Sequence, residues 1–249
     1  QGERGVDLSY RNNVTIKNTK IGFAFYAIYL LNASRNTISG NILTYNGYGV
    51  YLIEASQNAI IGNNITDNEV GIDIRSSSNN ILRNNNLNNN HNLAVYGSEP
   101  SHFVNDVDDS NIVNGKKAYY LISESDLVIN PSTFPDLGFL ALVNCRNITV
   151  HNLELTNNGH GIILAFTTES TITQNDITDN YNGIGLFSSS GNFIVGNNII
   201  DNNYRGIQLS NASNTNSIST NNITDNTDGI FLFDSPQNVI TGNTIANNK

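Results

Sequence analysis

Asn36-Thr37-Ile38-Ser39-Gly40-Asn41, followed by Gly49-Val50-Tyr51-Leu52, recurs at close to 22-residue spacing almost to the end of the chain. The block returns as Asn58-Ala59-Ile60-Ile61-Gly62-Asn63 with Gly71-Ile72-Asp73-Ile74, and as Asn192-Phe193-Ile194-Val195-Gly196-Asn197 with Gly206-Ile207-Gln208-Leu209. Its last copy is Asn238-Val239-Ile240-Thr241-Gly242-Asn243. A fixed period of this size means one supersecondary unit stacked many times.

Subtraction gives the columns. Ile38, Ile60 and Leu82 are 22 apart, as are Val150, Ile172 and Ile194; Ile218 follows after 24 and Ile240 after 22. Asn41, Asn63, Asn85, Asn175, Asn197, Asn221 and Asn243 form a second column, and Gly49, Gly71, Gly161, Gly183, Gly206 and Gly229 another. Each period holds three short alternating runs bounded by Asn and Gly, which read as strands and turns rather than helix. No segment sustains the apolar spacing of a helix, so almost none is expected. Three strands per period make one coil, and coils stack in parallel at roughly 4.8 Å. The fold class is therefore all-β, a single-stranded right-handed parallel β-helix. Each inward Ile or Leu stacks on its equivalents, and burying one is worth about 1.5–3 kcal/mol. Asn41, Asn63 and Asn85 should sit at a bend and bond one another as an amide ladder. Gly before the third strand supplies positive φ or close approach.

One domain over residues 1–249 is expected, with regular coils at about 13–96 and 147–249. Between them, at about 97–146, the period loosens, and three of the four prolines (Pro100, Pro131, Pro135) fall there. This stretch reads as distorted coils with two longer loops, keeping strands at 118–122 and 139–143. Solenoid insertions often lie on one functional face.

The formal charge is −9 and only 13% of residues are charged, which argues against a nucleic-acid partner. No apolar run reaches membrane-spanning length. Cys145 is the single cysteine, so no internal disulfide can form. Met is absent, position 1 included, so the chain reads as a processed product or an excised domain. Sequons at Asn13, Asn32, Asn64, Asn147, Asn211 and Asn222 suit an exported, extracellular or cell-surface address. Asn-Gly pairs at 46–47, 114–115, 158–159 and 182–183 are chemically labile and speak against a hyperthermophilic source.

The repeat, together with Val113-Asn114-Gly115-Lys116, Tyr119-Tyr120 and Val143-Asn144-Cys145-Arg146-Asn147-Ile148-Thr149-Val150, resembles NosD-type β-helix domains. These belong to the wider CASH group of carbohydrate-binding proteins and sugar hydrolases, common in exported and surface proteins of archaea. The resemblance covers nearly the whole chain. It implies a periplasmic accessory role in copper-site maturation. Soft copper sites favour Cys, Met and His; here Met is absent, Cys is single, and His91, His102, His151 and His160 fall in different coils.

Four groups are candidates for chemistry. Strand alternation sends Tyr29, Tyr51 and Asp73 outward, with Leu31, Ile53 and Arg75 beside them; Tyr29, Tyr51, Asp73 and Arg75 read as a surface for a sugar or a partner chain. Ile163, Phe187, Phe231 and Phe233 should face out farther along. Asp106, Asp108 and Asp109 lie in the irregular stretch and only loosely resemble a calcium loop. Asp179, Asp201 and Asp225 repeat two residues after the stacked Ile177, Ile199 and Ile223, and carboxylates at coil spacing suit a calcium ion. Gly159-His160-Gly161 has the register of Asn182-Gly183 and reads as a turn. No set of converging acid and base can be assembled.

The chain should thus be a non-catalytic, exported or cell-surface scaffold that binds a polysaccharide or a neighbouring surface protein. It requires no cofactor, calcium being the one ion it could take. A lyase or hydrolase of an acidic polysaccharide is the alternative reading, and a copper accessory protein the third. With no capping helix after Asn247-Asn248-Lys249, the terminal coil is expected to meet a further domain or another copy end to end.

Overall fold

The computed structural model describes residues 3–249. Short parallel strands dominate, and the one helical turn among the described residues is a 3-10 segment at Pro100–Phe103. The chain is an all-β, right-handed parallel β-helix with coils about 22 residues apart. It packs as two compact units, one running to Tyr119 and one from Tyr120 to Lys249.

In the first unit each coil contributes two three-residue strands and one longer strand. The long strands are Arg4–Asp7, Tyr26–Leu31, Tyr48–Ile53, Val70–Arg75 and His91–Tyr96, all parallel neighbours. Their register is the sequence period: Ile28 pairs with Val50, Val50 with Ile72, and Ile72 with Leu93. The coils end in a hairpin at Asn114-Gly115, where Ile112 pairs antiparallel with Lys117 and Val113 with Lys116. Both turn residues have positive φ (50° and 78°), the backbone that an Asn-Gly hairpin turn requires.

The second unit repeats the plan with long strands Leu137–Val143, His160–Ala165, Asn182–Phe187, Arg205–Ser210 and Asp228–Leu232. The strands expected at 118–122 and 139–143 are present as Lys116–Ile122 and Leu137–Val143.

The inward columns form the cores. Ile28, Leu30, Ile38, Leu43, Val50, Leu52, Ile60 and Ile65 are fully buried in the first unit, and Ile172, Ile177, Ile184, Leu186, Ile194 and Ile199 in the second. The Gly that opens each long strand answers to close approach rather than to positive φ. A Cβ on Gly49 would lie 2.5 Å from Ile65 Cγ2 and 2.6 Å from the Gly71 carbonyl oxygen.

Asn closes the corners, at more corners than the sequence reading placed it. The expected ladder is present: Asn63 Oδ1 accepts from the N–H (3.0 Å) and Nδ2 (2.9 Å) of Asn41, and Asn63 Nδ2 donates to the Ile38 carbonyl (2.9 Å) and to Asn85 Oδ1 (2.9 Å). Two more run beside it, through Asn36, Asn58 and Asn80 and through Asn46, Asn68 and Asn89. Every one of these amides is buried, so each needs its partners, an unsatisfied buried polar group costing about 1–3 kcal/mol. In the second unit hydroxyls take over at one further corner, where Thr167, Ser189 and Ser213 each accept the N–H of the coil before.

Candidate functional site

The outer face of the long strands in the first unit carries the four residues singled out there. Tyr29, Tyr51 and Asp73 are register neighbours on successive strands, and Arg75 pairs with Ile53 beside them. The four do come together. They are not, however, an open surface: Tyr29 is 8%, Tyr51 7% and Asp73 2% exposed. Side chains from the adjoining columns fold over them. The Arg4 guanidinium lies 3.9 Å from the Tyr29 ring centroid, and Tyr26 packs 5.0 Å from Tyr29 and 5.1 Å from Tyr51. Arg75 turns back to Asp73 with Nη2–Oδ2 at 2.8 Å and Nε to both oxygens, and sits over Tyr51 and Tyr96. Burial pushes the Asp73 carboxyl upward against the lowering pull of Arg75, and burial pushes the Tyr51 hydroxyl up to about 12. Asp73 is thus buried beneath a half-exposed Arg75 and the tyrosine rings, so its carboxylate is not presented to solvent.

The aromatic layer nonetheless reaches solvent at one edge. Tyr26 and Tyr48 stack at 5.1 Å, and Phe25 packs on both, at 4.7 and 5.7 Å. Two residues before Phe25, Phe23 stacks on Tyr45 with centroids 5.6 Å apart and planes 16° from parallel. Phe23 is 83%, Tyr45 58% and Phe25 49% exposed. Phe23 and Tyr45 occupy the turn before the long strand at φ 61° and 57°. Their backbones bond in sequence, Phe23 N–H to the Tyr45 carbonyl (3.0 Å) and Tyr45 N–H to that of Asp67 (3.1 Å). Other coils fill this turn with Asp67, Asn157, Asp179, Asp201 and Asp225, also at positive φ. Asp and Asn tolerate left-handed backbone, whereas an ordinary side chain there is disfavoured by about 1–2 kcal/mol. Two aromatic rings thus stand, strained and exposed, where the repeat elsewhere prefers a small polar residue. The sequence reading passed over Phe23 and Tyr45, although subtracting 22 from Asp67 twice reaches both.

The acidic candidates are engaged locally. Arg83 binds Asp106 through Nη2 and Asp108 through Nε (2.8 Å), and Lys117 binds Asp109 at 2.9 Å. Asp106 and Asp108 meet on Arg83 and fasten the irregular stretch to the preceding coil, while Asp109 is held by Lys117 within that stretch. Asp179, Asp201 and Asp225 hold equivalent turn positions, as their spacing predicted. Asp201 and Asp225 line a polar recess of about 340 Å³ with Lys249. Among the described residues, no three His, Cys, Asp or Glu side chains come together to hold a metal ion.

In the second unit, register pairs His160 with Asn182, Asn182 with Arg205 and Arg205 with Asp228. The equivalence of Gly159-His160-Gly161 with Asn182-Gly183 holds, but His160 opens a strand and is fully buried. It lies 3.2 Å from Asn182 Nδ2 and edge-on to Phe187. Of the aromatics expected to face out, Phe187 is buried while Phe233 is 60% exposed; Ile163 is likewise covered. Arg205 lies 3.5 Å over the Phe231 ring, with Nε 3.5 Å from Asp228.

Residues 2–134 match the right-handed β-helix family, and residues 111–249 match NosD, described as periplasmic copper-binding protein. The chain belongs to the NosD family. No curated protein matches it. Among solved structures, the A-module of the Azotobacter vinelandii mannuronan C-5 epimerase AlgE6 is 15% identical, at a TM-score of 0.35, over 96% of this chain and 66% of that one. A periplasmic alginate epimerase, AlgG, is 14% identical, at a TM-score of 0.42, over 97% of this chain and 55% of that one. An alginate lyase from Paenibacillus is 13% identical, at a TM-score of 0.34, over 96% and 92%. The chain thus spans only about half to two thirds of the first two. At these identities the likeness is one of architecture.

The NosD description implies copper, and the donors of this NosD-family chain do not fit it. Met is absent from the sequence. Cys145 is 1% exposed, its Sγ set against the Val143 and Leu121 carbonyls, and burial pushes its thiol up. His151 faces Asn130 (3.3 Å) rather than another histidine. No helix among the described residues is long and apolar enough to cross a membrane.

Proposed function

We propose that this NosD-family chain is a non-catalytic β-helix module of an exported, cell-surface or extracellular protein, and that it holds a polysaccharide against the aromatic turn formed by Phe23, Tyr45 and Phe25. One observation carries the reading: two stacked, exposed rings sit on left-handed backbone at a turn that other coils fill with Asp or Asn. Left-handed backbone recurs at the corners of this fold, at Tyr10 and Phe166 among others, so the weight of the reading rests on the two rings being stacked and exposed. Exposed ring faces on a rigid ladder suit the apolar faces of sugar rings, while nearby hydroxyls and carboxylates meet sugar hydroxyls. Catalysis is disfavoured because acid–base work needs two titratable groups converging on an open site, and the buried carboxyl of Asp73 is closed off by Arg75 and tyrosine.

The test is a panel of polysaccharides incubated with the chain, scored in the same samples for retention, new reducing ends and ultraviolet-absorbing unsaturated products. Retention without turnover, lost on Phe23→Asn with Tyr45→Asn, is the expected result. New reducing ends or unsaturated products would replace this reading with the enzymatic one.

A further inference from the structure

The charges around the aromatic turn define which polysaccharides it admits. The outer face beside it carries two arginines, and both are committed. Arg4 is ion-paired to Asp7 and lies over Tyr29; Arg75 is ion-paired to Asp73 and lies over Tyr51 and Tyr96. The exposed charges on the flank are mostly anionic, with the ammonium of Lys20, three residues before Phe23, standing among them. Glu3 lends its carbonyl to the N–H groups of Phe25 and Tyr26 (both 3.0 Å), Asp67 lends its own to Tyr45 (3.1 Å), and Glu69 stands two residues on, its carboxylate accepting from Asn90 (2.7 Å). All three are exposed.

From this arrangement, and resting on the polysaccharide reading above, we infer that the aromatic turn is selective for neutral glycans and rejects polyanionic ones. A uronate-rich chain laid on Phe23, Phe25 and Tyr45 would bring its carboxylates against Glu3, Asp67 and Glu69, three carboxylates that outnumber the nearby Lys20 ammonium, while both guanidiniums are committed elsewhere. Like charges set against one another exclude the wrong partner as effectively as contacts select the right one. Uncharged sugars meet no such barrier, and their hydroxyls find acceptors in the same three carboxylates. The patch also suits a sugar better than a protein. Rings of this size bury roughly 150–250 Å² each, so three partly exposed ones offer on the order of 400 Å², about half of the roughly 800 Å² that each side of a stable protein complex covers.

The experiment measures binding of the purified chain to a neutral glucan, a neutral mannan and a polyuronate, at low and at high salt, for the parent, for Phe23→Asn with Tyr45→Asn, and for Asp67→Asn with Glu69→Gln. Expected is retention on a neutral glycan that varies less than twofold with salt, at least tenfold weaker binding to the polyuronate at low salt, and a narrowing of that gap in the Asp67/Glu69 variant. Polyuronate binding as strong as neutral binding, and weakened by salt, would overturn the selectivity and leave the polysaccharide reading in place. Binding to none of the three, or binding untouched by the Phe23/Tyr45 variant, would overturn both. Sedimentation completes the set: concentration-dependent self-association abolished by the Phe23/Tyr45 variant would assign the patch to a second copy of the chain and overturn the inference.

Discussion

Replacing Phe23 and Tyr45 together by Asn should remove the exposed rings while leaving the fold almost as stable as before. The rings occupy left-handed backbone, at φ 61° and 57°, which an ordinary side chain adopts at about 1–2 kcal/mol and Asn adopts readily. Relieving two such positions returns roughly 2–4 kcal/mol. Against it stand the ring stack, worth about 0.5–1.5 kcal/mol, and the surface the rings have buried, little for Phe23 at 83% exposed and more for Tyr45 at 58%, on the order of 1–2 kcal/mol together. The terms nearly cancel, so the double variant should unfold within about 1 kcal/mol of the parent, read as a small shift of the urea midpoint at unchanged slope. Polysaccharide binding should fall much further. If each ring contributes about 1 kcal/mol of contact, losing both weakens binding roughly 30-fold. A destabilisation above about 3 kcal/mol, the scale of truncating a buried aromatic, would show that the rings hold the turn together, and the argument from strain would fail.

Asn63→Leu should lower stability by roughly 2–4 kcal/mol, because it leaves the buried Asn41 N–H without its acceptor and takes one bond each from Asn41 Nδ2, which keeps the Ile16 carbonyl, from the Ile38 carbonyl, and from Asn85 Oδ1, which keeps the backbone N–H of residue 63, at about 1 kcal/mol apiece; a midpoint shift below 1 kcal/mol would contradict the ladder. His91 is 3% exposed, and burial lowers its pKa below 6.5 although Glu69 pulls the other way. The unfolded chain therefore takes up this proton first, so the stability His91 contributes is complete above about pH 6.5 and is lost as the pH falls through and below that value. His91→Gln should flatten that part of the melting-temperature profile, and an unchanged profile would refute the assignment. Deamidation on storage should concentrate at Asn114-Gly115, since Asn46, Asn158 and Asn182 are buried; peptide mapping that finds those three modified first would contradict it.

Core and register were legible because they depend on periodicity alone. Ile38, Ile60 and Leu82 could be identified by subtraction, and side-chain alternation set the inward face. The ladder through Asn41, Asn63 and Asn85 was legible for the same reason. Those at Asn36 and Asn46 follow the same arithmetic but sit at corners where spacing or residue type drifts: Asn89 follows Asn68 by 21, and Ser170 stands in line with Asn192. What alternation could not supply was cover. It placed Tyr29, Tyr51 and Asp73 on the outer side of the sheet, correctly, but whether an outward residue meets water depends on the reach of its neighbours. Arg4, Tyr26 and Arg75 are long enough to close over them. Phe23 and Tyr45, at the turn, have nothing above to do so.

The Asn ladders have a direction. In each, the Oδ1 of the later coil accepts both the backbone N–H and the side-chain N–H of the coil before it, as Asn63 does for Asn41 and Asn85 for Asn63. A coil is therefore left with a row of open donors until its successor is laid down. Because a chain emerges from the ribosome N-terminus first, every finished coil presents those donors as a template to the residues arriving next, and propagation is matched to the order of synthesis. A translational pause in mid-stack would halt the growing edge in a donor-rich, unsatisfied state, and the 22-residue period becomes the natural step of co-translational assembly.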